Sequence, residues 1–238
     1  MLGFREGLCA LPAFLVVWSS STFIVNYVIA LYRGDIDLIF PYISDTGDKP
    51  PESCIFGFMS TITAFAGCAT TYARYKFVER LNEKTGGVPR ALNIAAFVCA
   101  LVSCLGMCIV ATFQETSQRV VHDIGALLFF LFGVIYIILQ TIISHKAHPF
   151  GASKTVCCIR TCFACVSIVA VFPTIVCALL VKSTKLHWQR EDEDYTLHLV
   201  SAVSEWLGAF SFVFFFYTYI REFKQFTLKV HVDLQEFT

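Results

Sequence analysis

Charged residues are scarce in this chain of 238 residues: they make up 15% of it, whereas hydrophobic residues make up 56%. An ordinary soluble domain carries roughly 25% charged and 45–50% apolar residues, so that class of protein is excluded. The eighteen basic and eighteen acidic side chains also cancel. Because the sequence has no excess of positive charge, it gives no indication of nucleic-acid binding, and we expect no nucleic-acid partner.

The short motifs of common enzymes and metal sites are also missing. The chain contains no His-Glu-x-x-His, no Gly-x-Ser-x-Gly and no Walker-type phosphate loop. The connection over residues 33–52 is rich in aspartate, but it lacks the spacing of an EF-hand calcium site. We therefore expect that the protein binds no metal and no cofactor and that it is not an enzyme. A lipid-modifying hydrolase is the alternative that the residues leave open.

Long apolar segments are what the sequence does contain. A transmembrane helix needs about 20 mostly apolar residues, and cutting the chain at its charges leaves six such segments. We predict an all-α membrane protein, a bundle of six transmembrane helices, with spans near residues 8–32, 53–73, 91–114, 124–144, 161–181 and 196–220. One membrane domain over residues 1–220 is followed by a short tail over residues 221–238. The first segment lacks a clear cleavage site and is interpreted as a retained span rather than a signal peptide.

The basic residues of the connections are divided unequally between the two faces of the predicted bundle. One face carries twelve of them and the other carries six. Because cytoplasmic connections are enriched in lysine and arginine, we predict that the richer face, with both chain termini and the tail, is cytoplasmic. The twelve are Arg5, Arg74, Lys76, Arg80, Lys84, Arg90, Lys146, Lys154, Arg160, Arg221, Lys224 and Lys229.

Polar and ionisable side chains within the spans collect towards the non-cytoplasmic side. Such side chains are costly in lipid and are therefore candidates for function. Glu205 should lie about 12 Å below the start of its span. The candidate cluster comprises Asn26, Glu115, His122, Asp123, His198 and Glu205. Three interpretations stay open: an interhelical hydrogen-bond cluster, a pocket for a small molecule or a lipid headgroup, and a hydrolytic site.

Eleven cysteines are present, but most of them lie inside predicted spans, where small thiols usually serve as packing residues. We therefore predict no disulfide framework. Cys157, Cys158 and Cys162 differ, because they cluster at the cytoplasmic start of the fifth span. That position suits reversible S-palmitoylation, and three unmodified thiols are the alternative.

The connection over residues 33–52 is the most distinctive loop. Asp45-Thr46-Gly47 predicts a turn, because aspartate bonds to nearby backbone and glycine tolerates positive φ. The surrounding sequence, PYISDTG at 41–47, PPES at 50–53 and IFGF at 55–58, closely resembles the DNA-damage-regulated autophagy modulator (DRAM) family. Further similarity is found in TYARYK at 71–76, FQE at 113–115, VHD at 121–123 and SEW at 204–206. The resemblance runs from Met1 to about Ile220.

The resemblance implies a multi-pass protein of the lysosomal membrane that promotes autophagy and p53-dependent cell death. It also implies distant kinship with proteins of glycosylphosphatidylinositol lipid remodelling and with a yeast regulator of phosphoinositide signalling. The family provides no agreed catalytic residues. We therefore expect a regulator that acts through membrane lipids and through cytoplasmic proteins of the autophagy machinery. A lipid-binding, lipid-transporting or lipid-remodelling protein that uses the polar pocket is the alternative.

A lysosomal location would place the polar cluster in an acidic compartment. Histidines with an ordinary pKa near 6.5 are mostly charged at about pH 5. We therefore expect His122 or His198 to pair with Asp123 or Glu205 in acid, and the pair to loosen at neutral pH.

Overall fold

The computed structural model describes residues 8–228, and the regular structure in that range is entirely helical. The six long helices are α1 Ala10–Arg33, α2 Glu52–Thr85, α3 Arg90–Thr112, α4 Glu115–Ala147, α5 Lys154–Leu180 and α6 Tyr195–Tyr217. A short helix, α7 Tyr219–Phe223, follows α6, and a 3-10 turn lies at Ser44–Gly47. Each of the six long helices is long and apolar enough to cross a membrane. The predicted all-α, six-span fold class is therefore confirmed.

The helices form a closed ring in chain order. Each long helix packs against its neighbours in sequence, and α6 returns to pack against α1. Connections 34–51, 113–114 and 181–194 lie at one end of the ring, which we call the acidic end. Connections 86–89 and 148–153, together with α7, lie at the opposite end, which we call the basic end. The cytoplasmic placement of the basic end remains a prediction, and residues 1–7 and 229–238 of the predicted cytoplasmic segments lie outside the described residues.

Close approach between α3 and α4 depends on glycine. A Cβ atom built on Gly106 would overlap the backbone of α4 at Phe129 and Gly125. Between transmembrane helices, where lipid removes the usual hydrophobic drive, small residues of this kind allow the backbones to pack directly. Gly106 therefore fixes the distance between these two helices.

Helix α2 extends well beyond its predicted span, which ends at residue 73. It contains 34 residues and reaches Thr85, which at 1.5 Å per residue corresponds to about 51 Å, against roughly 30 Å for the hydrocarbon core. Its last three turns therefore project from the basic end. Helix α4 is nearly as long, with 33 residues, and Gln118 interrupts its first turn with non-helical torsion angles.

Candidate functional site

The connection between α1 and α2 folds back onto the acidic end of the bundle. The Tyr42 backbone N–H donates to Asp45 Oδ2 at 3.0 Å, and the Thr46 hydroxyl donates to the Ile43 carbonyl at 2.6 Å. These bonds close the 3-10 turn Ser44–Gly47 and confirm the turn predicted at Asp45-Thr46-Gly47, although Gly47 does not adopt a positive φ. Glycine is required at its end, because a Cβ atom on Gly47 would overlap the Phe56 ring of α2.

Two residues of α6 hold this loop in place. The Glu205 side chain accepts a hydrogen bond from the Ile43 backbone N–H at 2.9 Å. The Trp206 indole N–H donates to the Pro41 carbonyl, also at 2.9 Å. Glu205 is only 9% exposed, so its carboxyl is buried against a loop that lies more than 150 residues earlier in the chain.

A cavity of about 330 Å³ lies between this loop and helices α4, α5 and α6. We call it the acidic cavity, because four carboxyl groups line it: Asp45, Glu115, Asp123 and Glu205. The remaining polar lining includes His122, Arg119, Lys185, Tyr42 and Ser201. The rest of the wall is mostly apolar and comes from α4 and α5. A pocket of this size, apolar with a few convergent polar groups, has the features of a small-molecule or lipid-headgroup site.

The basic residues at the cavity wall are already engaged with other groups. Arg119 lies 3.6 Å from Asp123 and donates to the Val181 carbonyl at 2.7 Å. Lys185 pairs with Asp192 at 2.7 Å, in the connection before α6. Among residues 8–228, no basic side chain lies within 4.0 Å of the remaining carboxyls, those of Asp45, Glu115 and Glu205. The cavity therefore holds three carboxyls that form no ion pair among the described residues, although the charges of His122 and Arg119 act on Glu115 from farther away.

The electrostatic effect of this arrangement is seen at Asp45, which lies outside the spans. Burial raises the pKa of the Asp45 carboxyl well above its usual range, and the nearby carboxyls of Glu115 and Glu205 raise this pKa further. The hydrogen bond from the Tyr42 backbone N–H opposes that rise. Burial likewise raises the pKa of the Tyr42 phenol. The site can therefore hold a proton on a carboxyl at a higher pH than an exposed aspartate can, or it can accept a cation.

The structure brings four of the six predicted cluster residues to the cavity: Glu115, His122, Asp123 and Glu205. His198 lies behind the wall, where it stacks on Trp188 with a centroid separation of 4.4 Å and meets the Tyr42 ring edge-on at 4.7 Å. Asn26 lies apart from the cavity lining, on α1, and its side chain donates to the Thr22 carbonyl at 2.7 Å.

The expected pairing of histidine with carboxylate is wrong. His122 Nδ1 lies 2.7 Å from the Phe113 carbonyl oxygen, while Asp123 faces Arg119 instead. His198 is enclosed by aromatic rings, and Glu205 is bonded to the loop backbone. The reason is geometric: Glu205 is taken by a backbone donor from a distant loop, which helix periodicity cannot reveal.

A second set of buried charged side chains lies at the basic end, and it was not among the sites predicted from the sequence. Glu222 of α7 accepts from Arg74 of α2 and lies 2.9 Å from Arg160 Nη1 of α5. Both arginines are 0% exposed, and Glu222 is 5% exposed. We call these three residues the arginine–glutamate cluster; it joins three helices through charged groups that are withdrawn from solvent.

Neutral side chains complete the cluster. Arg74 Nε donates to Gln140 at 3.1 Å, and Arg160 Nη1 donates to the Ser144 hydroxyl at 2.7 Å. The Arg160 guanidinium also lies 4.7 Å from the centre of the Tyr219 ring, within the range of a cation–π contact. Both arginines were counted among the basic residues of the connections in the orientation argument, and the structure corrects that assignment by placing them inside α2 and α5.

The pattern that could have revealed these arginines is the continuation of a buried helix face. Thr70, Arg74 and Val78 are spaced by four residues on α2, and all three are buried. On α5, Arg160 is flanked at helical spacing by Cys157 and Ala164, which are also buried. A charged residue in such a stripe faces the helix bundle rather than water.

The three cysteines proposed for acylation lie on different faces of α5. Cys157 is buried, whereas Cys158 and Cys162 are exposed on the outer face of α5. Burial makes the Cys157 thiol inaccessible to an acyl donor, so Cys157 is not a suitable acylation site. Acylation of Cys158 and Cys162 remains a prediction.

These features define a multi-pass α-helical membrane protein with an acidic cavity at one end and a buried ion cluster at the other. Residues 7–226 match the model of the Frag1/DRAM/Sfk1/Cwh43P N-terminal domain family. The chain belongs to this family, and it is similar to the DRAM proteins within it, as the resemblance in the loop sequence predicted.

Two groups of relatives illustrate the similarity. The chain is 47% identical over 236 residues to DNA damage-regulated autophagy modulator protein 1 of Mus musculus, with 99% of both chains covered. Identity to the same protein of Homo sapiens is 47% over 234 residues, covering 98% of each chain. DNA damage-regulated autophagy modulator protein 2 of Rattus norvegicus is 41% identical over 246 residues, which covers 100% of this chain and 92% of the relative. No solved structure matches the chain.

Proposed function

We propose that this protein regulates autophagy from the lysosomal membrane and takes part in the p53-linked response that leads to cell death. The observation that carries the proposal is similarity over the whole chain, at 47% identity, to proteins named as DNA damage-regulated autophagy modulators. The six spans and both ends of the bundle lie within the matched residues. The proposal therefore concerns the complete membrane domain rather than one segment of it.

The mechanism we propose is interaction without catalysis. The projecting end of α2 carries Arg80 and Lys84, which are exposed, and Lys76, which is partly exposed; Arg90, at the start of α3, is also exposed. Basic residues beside a membrane attract anionic lipid headgroups, and the same surface is available to cytoplasmic proteins of the autophagy machinery. The arginine–glutamate cluster holds α2, α5 and α7 together beneath this surface.

A second candidate function is the binding, transport or remodelling of lipid. It is favoured by the acidic cavity, which combines about 330 Å³ of space with an apolar wall and three carboxyls that form no ion pair among the described residues. A protein that acts only as a scaffold has no need of such a cavity. The two candidates assign function to opposite ends of the bundle, so they can be separated by mutation.

The test is rescue of autophagic flux in cells that lack the protein. One variant neutralises the basic end, with Lys76, Arg80 and Lys84 each changed to Gln. Another neutralises the cavity with Asp123→Asn and Glu205→Gln, which keep the side-chain shapes and an acceptor oxygen. The matched control is Glu193→Gln, because that side chain is 83% exposed at the acidic end.

Scaffolding predicts that the basic-end variant loses flux while the cavity variant rescues it at normal abundance and location. Lipid handling predicts the opposite pattern. Full rescue by both variants would contradict both mechanisms. Wild-type protein that reaches another membrane, and not the lysosome, would contradict the proposed location.

A further inference from the structure

We propose that the acidic cavity binds a protonated primary amine carried on an alkyl chain, with its ammonium group among Asp45, Glu115 and Glu205. The alkyl chain passes outward beside α4 and α5 into the bilayer. This inference rests on the second candidate function and specifies the class of ligand: a single-chain cationic amphiphile.

The carboxyl groups of the cavity favour a positively charged ligand over an anionic one. Asp45 and Glu205 each accept one backbone N–H, from Tyr42 and Ile43 respectively. Each carboxyl therefore keeps a second oxygen that can accept a bond from a ligand. Carboxyls buried together must be protonated or neutralised by a counter-ion, and the wall arginine and lysine are occupied elsewhere. An anionic headgroup would meet the same carboxyls and be repelled.

The hydroxyl group of Tyr42, in the cavity wall, supports a polar ligand in addition to the carboxyls. Tyr42 lines the cavity and is 9% exposed. Its hydroxyl group interacts with the Ser201 side chain, but no contact within the described residues has the geometry of a good hydrogen bond. A buried polar group without a partner is costly and is rare in native structures. A bound ammonium group could donate to this oxygen as well as to the carboxyls.

An ammonium group fits the cavity better than a metal ion. In residues 8–228, no group of three or more His, Cys, Asp or Glu side chains is arranged to hold a metal. Asp45, Glu115 and Glu205 nevertheless share one cavity, and the charges of Glu115 and Glu205 both act on Asp45. An ammonium group carries three hydrogen-bond donors and bonds to oxygens at about 2.7–3.2 Å, which is longer than the roughly 2.0–2.6 Å that a bound magnesium or calcium ion requires.

The apolar wall shows where a chain would leave the cavity. Val120, Ile124 and Leu127 of α4 and Leu179 of α5 line the cavity, and they are 72%, 51%, 41% and 70% exposed. On transmembrane helices such exposed apolar side chains face lipid. The cavity is therefore open on its lipid side, so that an alkyl chain can stay in the bilayer while its head enters.

The volume limits the size of the part that enters. The cavity measures about 330 Å³, at the lower end of the roughly 300–1,000 Å³ of small-molecule pockets. That space accepts an amine head and the first carbons of a chain. A single alkyl chain is enough to fill it, so we take a single-chain amine as the ligand.

The test measures saturable binding of tritiated dodecylamine to the full chain in phosphatidylcholine nanodiscs, with empty nanodiscs subtracted. Dodecanol and dodecanoate serve as chain-matched neutral and anionic competitors. The double variant Asp45→Asn, Glu205→Gln removes two carboxyl charges while keeping their acceptor oxygens. Glu193→Gln is the control, because it removes a charge from an exposed side chain at the same end of the bundle.

We expect dodecylamine to bind to wild type and to the control, and its affinity to fall about tenfold or more in the double variant. Unlabelled dodecylamine should compete, whereas dodecanol and dodecanoate should not. Equal competition by dodecanol, or unchanged affinity in the folded double variant, would overturn the proposal. A second variant applies if the double variant does not fold. Ala178→Trp places a large side chain in the cavity and leaves every carboxyl in place, so it should abolish dodecylamine binding. Unchanged binding by this variant would overturn the proposal.

The autophagy measurement separates failure of this inference from failure of the proposed function. If flux is lost in the cavity variant but dodecylamine does not bind to wild type, the lipid-handling role stands and the amine is wrong. If dodecylamine binds but the cavity variant rescues flux, the ligand site stands and lipid handling is not how the protein regulates autophagy.

Discussion

At the scale of single residues, Asp45 shows how burial converts a loop aspartate into a pH-sensitive group. Its pKa in the folded protein is raised above the ordinary value of 3.8. The folded state therefore binds the proton more tightly than the unfolded chain does. The resulting stabilisation is fully present below the ordinary pKa, and it is lost as the pH rises through the raised pKa.

We expect Asp45→Asn to reduce the loss of stability between pH 5 and pH 7. The amide oxygen keeps the bond from Tyr42, but it has no charge to be opposed by Glu115, Glu205 and Asp48. The measurement is the unfolding temperature of both proteins at the two pH values. A difference between the two pH values that is as large in the variant as in wild type would contradict this assignment.

Glu222 is the residue on which the arginine–glutamate cluster depends. We expect Glu222→Gln to destabilise the protein by about 3–5 kcal/mol, because two arginines would stay buried without a counter-charge. Unfolding in a denaturing detergent measures the change. Glu83→Gln is the matched control: it breaks an exposed pair with Arg80, and pairs of that kind contribute little. A loss at Glu222 no larger than that at Glu83 would show that the cluster does not hold the basic end together.

At the scale of elements, the spacing of α3 and α4 is set by Gly106. We expect Gly106→Ala to destabilise the bundle by about 1–3 kcal/mol, because the added methyl group meets the backbone of α4 and the helices must separate. Gly208→Ala is the control, since its Cβ would lie at an ordinary 3.4 Å from the Phe130 ring. Equal unfolding temperatures for the two variants would show that the close approach does not limit packing.

The helices could be predicted from the sequence because each is a long apolar segment bounded by charges. Their contacts could not be predicted in the same way. The loop over 34–51 is fixed by Glu205, which is 162 residues from its partner Ile43, and local sequence patterns carry no information about such pairs. The extension of α2 was missed because Arg74 was taken as the end of a span, although Val78 continues the buried face.

The candidate site was predictable only in part, for the same reason. Residues at positions 115, 122, 123 and 205 were identified because ionisable groups stand out in apolar helices, and the structure places all four at one cavity. Asp45 and Tyr42 were not included, because they are loop residues in the sequence and become buried only when the loop folds back. Arg119 was counted simply as a charge of a connection, although it lines the cavity.

At the scale of the whole molecule, the ring of helices separates two polar regions of different character. The acidic cavity lies at one end, and the arginine–glutamate cluster lies beneath the basic end. The charge distribution predicts that the basic end is cytoplasmic. Burial of Arg74 and Arg160 removes two residues from the richer side, which still carries the larger number.

We expect an epitope tag inserted after Arg190, in an exposed part of the 181–194 connection, to be shielded when only the plasma membrane is permeabilised. Tags at the two chain ends should be reachable under the same conditions. A reachable tag after Arg190 with shielded chain ends would reverse the orientation and place the acidic cavity on the cytoplasmic side.

The central claim is that this six-helix membrane protein regulates autophagy. Its most direct test is the rate at which cargo reaches lysosomes, measured after DNA damage in cells that lack the protein and again after the intact chain is restored. We predict a reduced rate without the protein and recovery when it is present in the lysosomal membrane. An unchanged rate in both cell lines, with the restored protein abundant in that membrane, would contradict the account.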